Sequence, residues 1–472
     1  MAVVVEREKW ELSPLTYGFL FFCCFFCVFL RPYFSRSGGA AARMTATVSS
    51  LSDLDRTASF LRFHSRFLLL YFLASVMEGL ELFIGEYEFS YIRMSREQMV
   101  LAASAGAAAS LVIGTFIGFL CDIIGPRKLC ILFYFIHFLV GILKSLTMHP
   151  SILLSSLCIG ITSTLYSFCF ETWMVNKYEK HEHRMDLLSD SLLHDHRMDL
   201  LSDTFWLMTL LESSSLLGSQ GLANFLIKDP HKGLLSPSVS AALLAIISIL
   251  FIRKEWGDNH QKCTIKSYQK SFTGHILADK SIWMLGWAQA SVHFSVSVFW
   301  ILWAPTIVAD GRELQLSNIY PCFLGSRMLG STVFPWFSGT TSPLHNEEYS
   351  HLIAAFFVAG AVLSIIAYDY QDIGVLVVLF CIFHACVGLI LPSLAKLRTM
   401  YVPSELRGGM ISTSLVPANA AFLSVLVIGG YYRSLSNAVI MALASMGLLI
   451  SVGCIHLLRR WKKHTHQNWH EL

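Results

Sequence analysis

The stretch GFLCDIIGPRK, from Gly118 to Lys128, decides the fold of this chain. An apolar run ends at Asp122, Gly125 allows a tight turn, and Arg127 and Lys128 precede the next apolar run. A small residue such as Gly118 permits close packing of helices. Short loops rich in Lys and Arg stay on the cytoplasmic side of a membrane. The stretch therefore predicts a short cytoplasmic turn between two membrane-spanning helices.

The composition predicts an integral membrane protein. Of the 472 residues, 54% are hydrophobic and only 14% are charged, whereas soluble domains carry about 25% charged residues. The net charge of +3 gives no reason to expect a nucleic-acid partner. The twelve cysteines show no disulfide or zinc spacing, so we expect no metal and no cofactor. Motifs of hydrolases, nucleotide-binding proteins and dehydrogenases are absent, which argues against an enzyme.

A spanning helix needs about 20 mostly apolar residues. Candidate runs occupy residues 15–30, 66–86, 98–120, 129–146, 151–170, 205–227, 237–253, 282–304, 316–338, 351–368, 372–395, 411–431 and 435–458. The first run is short, and the basic segment that follows it lacks the small-residue site of a cleaved signal peptide. An extra helix is therefore favoured over a signal peptide, and the remaining runs form a core of twelve spans, numbered one to twelve below.

The basic loops define a domain organisation. If the twelve spans alternate, the loops richest in Lys and Arg fall on one side, which places both ends of the core in the cytoplasm. Two halves of six spans are typical of transporters built from repeats. We expect a hydrophobic segment and polar linker, a first half, a central cytoplasmic loop, a second half and a basic tail, at residues 1–61, 62–253, 254–281, 282–458 and 459–472.

Several motifs resemble known proteins. The stretch from Gly118 to Lys128 resembles the signature loop of the major facilitator superfamily. FLRFHSRFLLLYFLA, CFETW, EWGDN, WAQA with WILWAP, and GLILPSLAKLR resemble, in order and spacing, the molybdate-anion transporter family within it. The resemblance implies an all-helical fold of two six-helix halves, preceded by an additional N-terminal helix. It also implies that spans one, four, seven and ten line a central cavity, and that Gly118, Asp122, Gly125, Arg127 and Lys128 form a gating loop that latches the halves together.

The chain departs from that family at charged positions. Where members have an arginine in span four, this chain has Ser155 and Ser156, and where they have one in span eleven it has Leu415. Glutamates of spans seven and ten are replaced by His293 and His384. These changes remove groups that the family would use to handle an oxyanion.

Ionisable residues inside spans are costly and mark functional sites. We predict a polar substrate site formed by Glu78, Glu81, Glu212, Gln289, His293, Arg327 and His384. Two interpretations of Arg327 stay open: contact with an anionic substrate, or neutralisation of Glu212 or Glu78. We expect His137 to be a hydrogen-bonded packing residue, whereas Glu171 and Lys144 lie near span ends, where long side chains can extend to water.

A doubled segment lies between spans four and five. HEHRMDLLSDSLL at residues 181–193 is followed at once by HDHRMDLLSDTFW at residues 194–206. The two His-x-His pairs could bind a metal, but no cysteine lies nearby. We favour a short tandem duplication, because surface loops tolerate insertions.

These observations predict a secondary active transporter that moves a small solute by alternating access. The resemblance implies molybdate or a related oxyanion. The alternatives are a proton-coupled carrier of an organic solute, for which a cavity with glutamate and histidine is suited, and a non-transporting membrane receptor or scaffold. We expect the lipid bilayer as partner and a functional monomer.

Overall fold

The structure is a computed structural model. It describes residues 13–35, 51–91, 95–145, 149–182, 192–228, 237–255, 265–308, 316–338, 346–368 and 372–470. Within these ranges the chain is helical, joined by short turns, which confirms the predicted all-helical fold class.

The helices coincide with the predicted apolar runs. The N-terminal helix is α1, and the twelve spans follow it. Span two is divided between α3 and α4. A short loop helix, α9, precedes span seven. Their bounds are α1 Pro14–Ser35, α2 Leu51–Tyr91, α3 Arg96–Ala109, α4 Thr115–Ile124, α5 Pro126–Ser145, α6 His149–Glu182, α7 Leu192–Lys228, α8 Pro237–Glu255, α9 Ile265–Phe272, α10 Lys280–Ile307, α11 Leu316–Ser338, α12 Asn346–Ala367, α13 Ile373–Tyr401, α14 Arg407–Ser424 and α15 Asn437–His470.

Eight helices of the described residues are long and apolar enough to cross a membrane. They correspond to spans two, three, four, seven, nine, ten, eleven and twelve. The helices of spans one, five, six and eight fall outside this set, and spans one, five and eight carry Glu78, Glu212 and Arg327. Buried charged side chains therefore occur in both groups of helices, since Glu171 and Arg398 belong to spans four and ten.

Local sequence signals explain where helices begin and end. Gly125 ends α4 with a φ of 108°, a conformation that glycine adopts without strain, and Pro126 starts the next helix. Ser95 and Gln98 form a capping box at the start of span two. A π-helical turn at Ser110–Gly114 joins the two parts of that span.

The two halves repeat one packing pattern. In the first half spans one and five, two and four, and three and six pack against each other. In the second half spans seven and eleven, eight and ten, and nine and twelve do the same, which is the first pattern displaced by six spans. Between the halves, the most extensive contacts are those of span two with span eleven and of span five with span eight.

Helix α1 packs on the outer side of span eight. The hydroxyl of Tyr17 donates to the carbonyl of Asn318, and the thiol of Cys24 lies 3.7 Å from the carbonyl oxygen of Gly325. Pro321 lacks the backbone N–H that would bond the carbonyl of Ser317. Because α1 contacts the same helix that carries Arg327, it adds support to the charged span eight.

Candidate functional site

A cavity of about 390 Å³ lies between the halves. Spans one, four, five, seven, eight, ten and eleven contribute to its walls. Many of its polar groups are hydroxyls, contributed by Tyr71, Ser75, Ser163, Tyr166, Ser167, Thr209 and Ser297. The cavity can therefore offer hydrogen bonds from several helices to one small polar solute.

Five of the seven residues predicted to bind substrate line this cavity, namely Glu78, Glu212, Gln289, His293 and Arg327. Glu81 and His384 are buried outside its lining. The cavity also contains two charged residues that were not predicted as part of it, Glu171 and Arg398.

Arg327 and Glu212 meet across the contact between spans eight and five. The Nη2 atom of Arg327 lies 2.7 Å from Oε1 of Glu212, and the hydroxyl of Tyr71 lies 3.3 Å from Oε2 of Glu212. Arg327 is buried, and the Glu212 side chain keeps 21% of its surface exposed, toward the cavity. The Nε atom of Arg327 has no hydrogen-bond partner among the described residues. The pair therefore places a partly used guanidinium at the cavity wall.

Span one carries two further carboxylates, and each contacts a basic side chain of span three. Oε1 of Glu78 is 3.1 Å from Nε2 of His137, which is completely buried, as expected for a hydrogen-bonded packing residue. One turn further, Glu81 meets Nζ of Lys144 at 2.5 Å, and both side chains are buried. Lys144 consequently does not extend to water, and Glu81 is engaged away from the cavity lining.

His384 lies in an aromatic box. The centre of its ring is 4.3 Å from that of Phe299, 5.5 Å from that of Trp300 and 5.8 Å from that of Phe323. Neither ring nitrogen has a hydrogen-bond partner among the described residues. Trp300, whose ring contacts this histidine, lines the cavity, whereas His384 does not.

The floor of the cavity is a buried ionic cluster. Glu171 of span four lies 2.9 Å and 2.5 Å from two nitrogens of Arg398 in span ten, and 3.0 Å from Nη1 of Arg407 in span eleven. Arg398 also donates to Oε1 of Gln289 at 2.9 Å. Glu171 is only 8% exposed, so the expectation that it extends to water is wrong. This cluster joins both halves directly beneath the cavity.

Beyond this floor, the gating loop contacts the second half. Asp122 accepts hydrogen bonds from the backbone N–H groups of Gly408 and Gly409, at 2.9 and 2.7 Å, and from the hydroxyl of Tyr268 at 2.9 Å. The first N–H groups of a helix lack partners within that helix, so Asp122 caps α14 from the opposite half. We call this contact the latch.

The other gating-loop residues surround the latch. A Cβ added at Gly118 would collide with the side chain of Ser412 and would lie 2.9 Å from the carbonyl oxygen of Gly408. Spans two and eleven are therefore in close contact at Gly118. Arg127 donates to the carbonyl of Ile252 in span six at 3.3 Å. Lys128 is exposed at the start of span three.

Arg398, Arg407 and Tyr268 were missed from the sequence. The two arginines border the loop between spans ten and eleven, where they look like ordinary topology signals. Tyr268 and Phe272 are four apart in the loop helix α9, and their rings pack against Phe119 at 6.4 and 5.1 Å. That aromatic spacing, on one face of a short helix, is the signal that could have indicated docking of the central loop on the latch.

No group of three or more His, Cys, Asp or Glu is placed to hold a metal among the residues that the structure describes. Residues 183–191 of the doubled segment lie outside those residues. In the second copy, the Thr204 hydroxyl contacts His64 at 3.1 Å and Tyr178 at 2.9 Å, so the end of that copy is part of the packed bundle.

Comparisons with known proteins agree with this architecture. The MFS_5 family, described as sugar transporters with 12 transmembrane segments, matches residues 33–382. A molybdate-anion transporter of Xenopus laevis is 24% identical over 417 residues, covering 86% of this chain and 88% of that protein. The molybdate-anion transporter of Takifugu rubripes is 22% identical over 423 residues, covering 83% and 84%.

Solved structures share the fold. The human organic anion transporter MFSD10 (TETRAN) superposes with a TM-score of 0.61 at 13% identity, over 83% of this chain and 99% of that chain. A bacterial homologue of the iron transporter ferroportin, in an outward-facing state, gives 0.64 at 12% identity, over 84% and 98%. With its six-span repeat, its central cavity and its latch, the chain is a multi-pass integral membrane protein of the major facilitator fold, not an enzyme, and it belongs to the MFS_5 family, which includes the molybdate-anion transporters.

Proposed function

We propose that this chain is a secondary active transporter that moves a small oxyanion, molybdate or a chemically related one, by alternating access between its two halves. The names of its relatives support an oxyanion, and the repeat of six spans around one cavity supports a rocking mechanism.

The observation that carries the proposal is the presence of two guanidinium groups in one cavity between the halves. Arg327 enters from span eight and Arg398 from span ten. Guanidinium groups bind oxyanions through several parallel N–H bonds. The arginines that the family resemblance implies in spans four and eleven are absent here. Arg327 therefore takes over contact with the oxyanion, from span eight.

The latch and the ionic floor lie at the end of the bundle that carries the basic loops. We propose that this end faces the cytoplasm, in line with the positive-inside rule. Asp122 and Glu171 then hold the cytoplasmic end closed in this structure, and both must release their partners before the cavity can open inward. Transport requires this exchange between two arrangements of the halves.

A second candidate is a carrier of an uncharged or zwitterionic organic solute. It is favoured by the pairing of both cavity arginines with carboxylates, Arg327 with Glu212 and Arg398 with Glu171. The hydroxyl-rich wall also suits a solute with several hydroxyl groups.

The test is uptake of radiolabelled molybdate by proteoliposomes that contain the purified full chain. We expect saturable uptake that unlabelled tungstate or sulfate inhibits and that a neutral sugar does not. Arg327→Gln should abolish it, whereas Arg96→Gln, at an exposed arginine outside the cavity lining, should not. Uptake of labelled sugar instead would establish the second candidate, and no uptake of any solute would favour a receptor or scaffold.

A further inference from the structure

One nitrogen of Arg327, the arginine in the cavity wall beside Glu212, is already bonded to a carboxylate. Oε1 of Glu212 lies 2.7 Å from its Nη2 atom, where an incoming oxyanion would have to place its own oxygen. An ionised carboxylate and an oxyanion are both hydrogen-bond acceptors of negative charge, so they compete for one guanidinium and repel each other. An anion can therefore take the place of Glu212 at Nη2 only if Glu212 loses its charge or moves away.

We infer that Glu212 is the residue that couples anion binding to a proton, because it occupies Arg327 when ionised and releases Arg327 when protonated. This inference rests on the proposed function as an oxyanion transporter. It assigns the cycle as proton–anion symport, with one proton carried on Glu212 for each anion held by Arg327.

The chemistry of the protonated state fits an oxyanion. A neutral carboxylic acid has one O–H donor, which an ionised carboxylate lacks. After protonation, Glu212 can donate to an oxygen of the anion while Arg327 donates from the other side. Tyr71, whose hydroxyl reaches Oε2 of Glu212 at 3.3 Å, keeps the carboxyl oriented in both states. A proton thus changes this wall from one that repels an anion to one that binds it.

The other carboxylates near the cavity are held differently. Glu171 contacts two arginines and joins the halves, so its loss of charge would open the floor as well as free Arg398. Glu78 meets His137, and Glu81 meets Lys144, so neither blocks a cavity arginine. Glu212 therefore differs from them in combining contact with Arg327 and exposure to the cavity.

The groups that face Glu212 come from several helices. Tyr71 approaches from span one, Tyr166 from span four and Arg327 from span eight, while His384 of span ten lies behind Arg327. Other charged or titratable side chains across the same cavity are Glu78, Glu171, His293 and Arg398. His293 is the group that could produce a similar pH dependence of anion binding, because histidine changes charge near neutral pH.

The test measures binding of radiolabelled molybdate to purified protein at several pH values between about pH 6 and about pH 8. Linkage of one proton to one anion predicts that affinity rises about tenfold for each unit by which the pH falls. In weakly buffered solution, the wild-type protein should take up about one proton for each anion bound.

Glu212→Gln should bind molybdate with the same affinity across this range, and should exchange anion across a liposome membrane without accumulating it on a pH gradient. Glu97→Gln, at an exposed carboxylate of span two, should keep the wild-type pH dependence. A pH dependence that persists in Glu212→Gln, or anion binding to wild-type protein without proton uptake, would overturn the inference and leave oxyanion transport standing. Failure of wild-type protein to bind molybdate, tungstate or sulfate at any pH would instead overturn the proposed function and this inference with it.

Discussion

At the scale of single residues, Glu171 makes the most concentrated set of charged contacts in the described structure around the cavity. Its two carboxylate oxygens accept hydrogen bonds from Arg398 and Arg407, and both arginines are buried. A buried ion pair adds little stability by itself, but removing one partner leaves the other charge buried without compensation. Glu171 should therefore matter for folding as well as for gating.

Glu171→Gln should lower the free energy of unfolding by about 3–5 kcal/mol, because two buried guanidinium groups lose their counter-charge. Glu97→Gln, at an exposed carboxylate of span two, is the control. Thermal unfolding of detergent-purified protein measures both changes. Equal melting temperatures for the two variants would contradict the role of the ionic floor.

Asp122 supports a different prediction, because its partners are mostly backbone groups. Asp122→Ala leaves the N–H groups of Gly408 and Gly409 without their acceptor and should reduce the maximal rate of uptake several-fold with little change in KM, since the latch lies outside the cavity. Tyr268→Phe removes only one of the three bonds and should have a smaller effect. Concentration-dependent uptake measures both parameters. A raised KM with an unchanged rate would place Asp122 in substrate binding instead.

The sequence identified individual charges better than their partners. Glu78, Glu212 and Arg327 were recognisable because ionisable residues are expensive inside spans. Which of them pair depends on contacts between helices far apart in the chain, such as the 115 residues between Glu212 and Arg327. For the same reason, Glu171 looked like the end of a span, although residues more than 200 positions away enclose it.

At the scale of helices, the contact between spans two and eleven depends on glycine. A Cβ at Gly118 would collide with Ser412, and a Cβ at Gly408 would lie 2.7 Å from Oδ1 of Asp122. The close approach of these two spans is what brings Asp122 to the start of α14. The latch therefore requires glycine, which has no side chain, at both positions.

Gly118→Ala should push spans two and eleven apart and reduce the uptake rate as much as Asp122→Ala does. Gly221→Ala is the control, because an added Cβ there meets open space. Alanine also favours a helix over glycine by about 0.5–1 kcal/mol, so the control should be neutral or slightly stabilising. Uptake rates and thermal unfolding of the two variants provide the comparison. Full activity of Gly118→Ala would show that this contact does not control the cycle.

The sequence predicted the helices themselves well, since the length and apolarity of each run fix a span. It did not predict the π-helical turns, such as the one at Ser110–Gly114, or the extension of α6 to Glu182, well past the apolar run at 151–170. Those features depend on packing rather than on hydropathy. The sequence likewise indicates only a loop where α9 lies, because contacts with Phe119 and Asp122 stabilise this helix.

At the scale of the whole molecule, the repeat of six spans gives two bodies of similar internal packing. Besides the close packing of spans two and eleven, they are joined at the latch end by three kinds of polar contact: the cap on α14, the ionic floor and the bond from Ser404 to Glu179. Polar contacts of this type can break and reform, whereas the aromatic packing within each half stays intact. Such a division is what a rocking mechanism requires.

If the two halves move relative to each other around the cavity, the distance across the latch must change, and this distance can be measured. Spin labels at Lys128→Cys in the first half and Glu405→Cys in the second, both exposed positions, would be introduced after reactive native cysteines are replaced. Pulsed electron paramagnetic resonance in lipid then gives the distribution of distances. For a protein whose halves rock, we expect a dominant short distance, a longer one that gains population when molybdate is added, and a majority of the longer one in Asp122→Ala. A single distance that neither molybdate nor Asp122→Ala changes would contradict it.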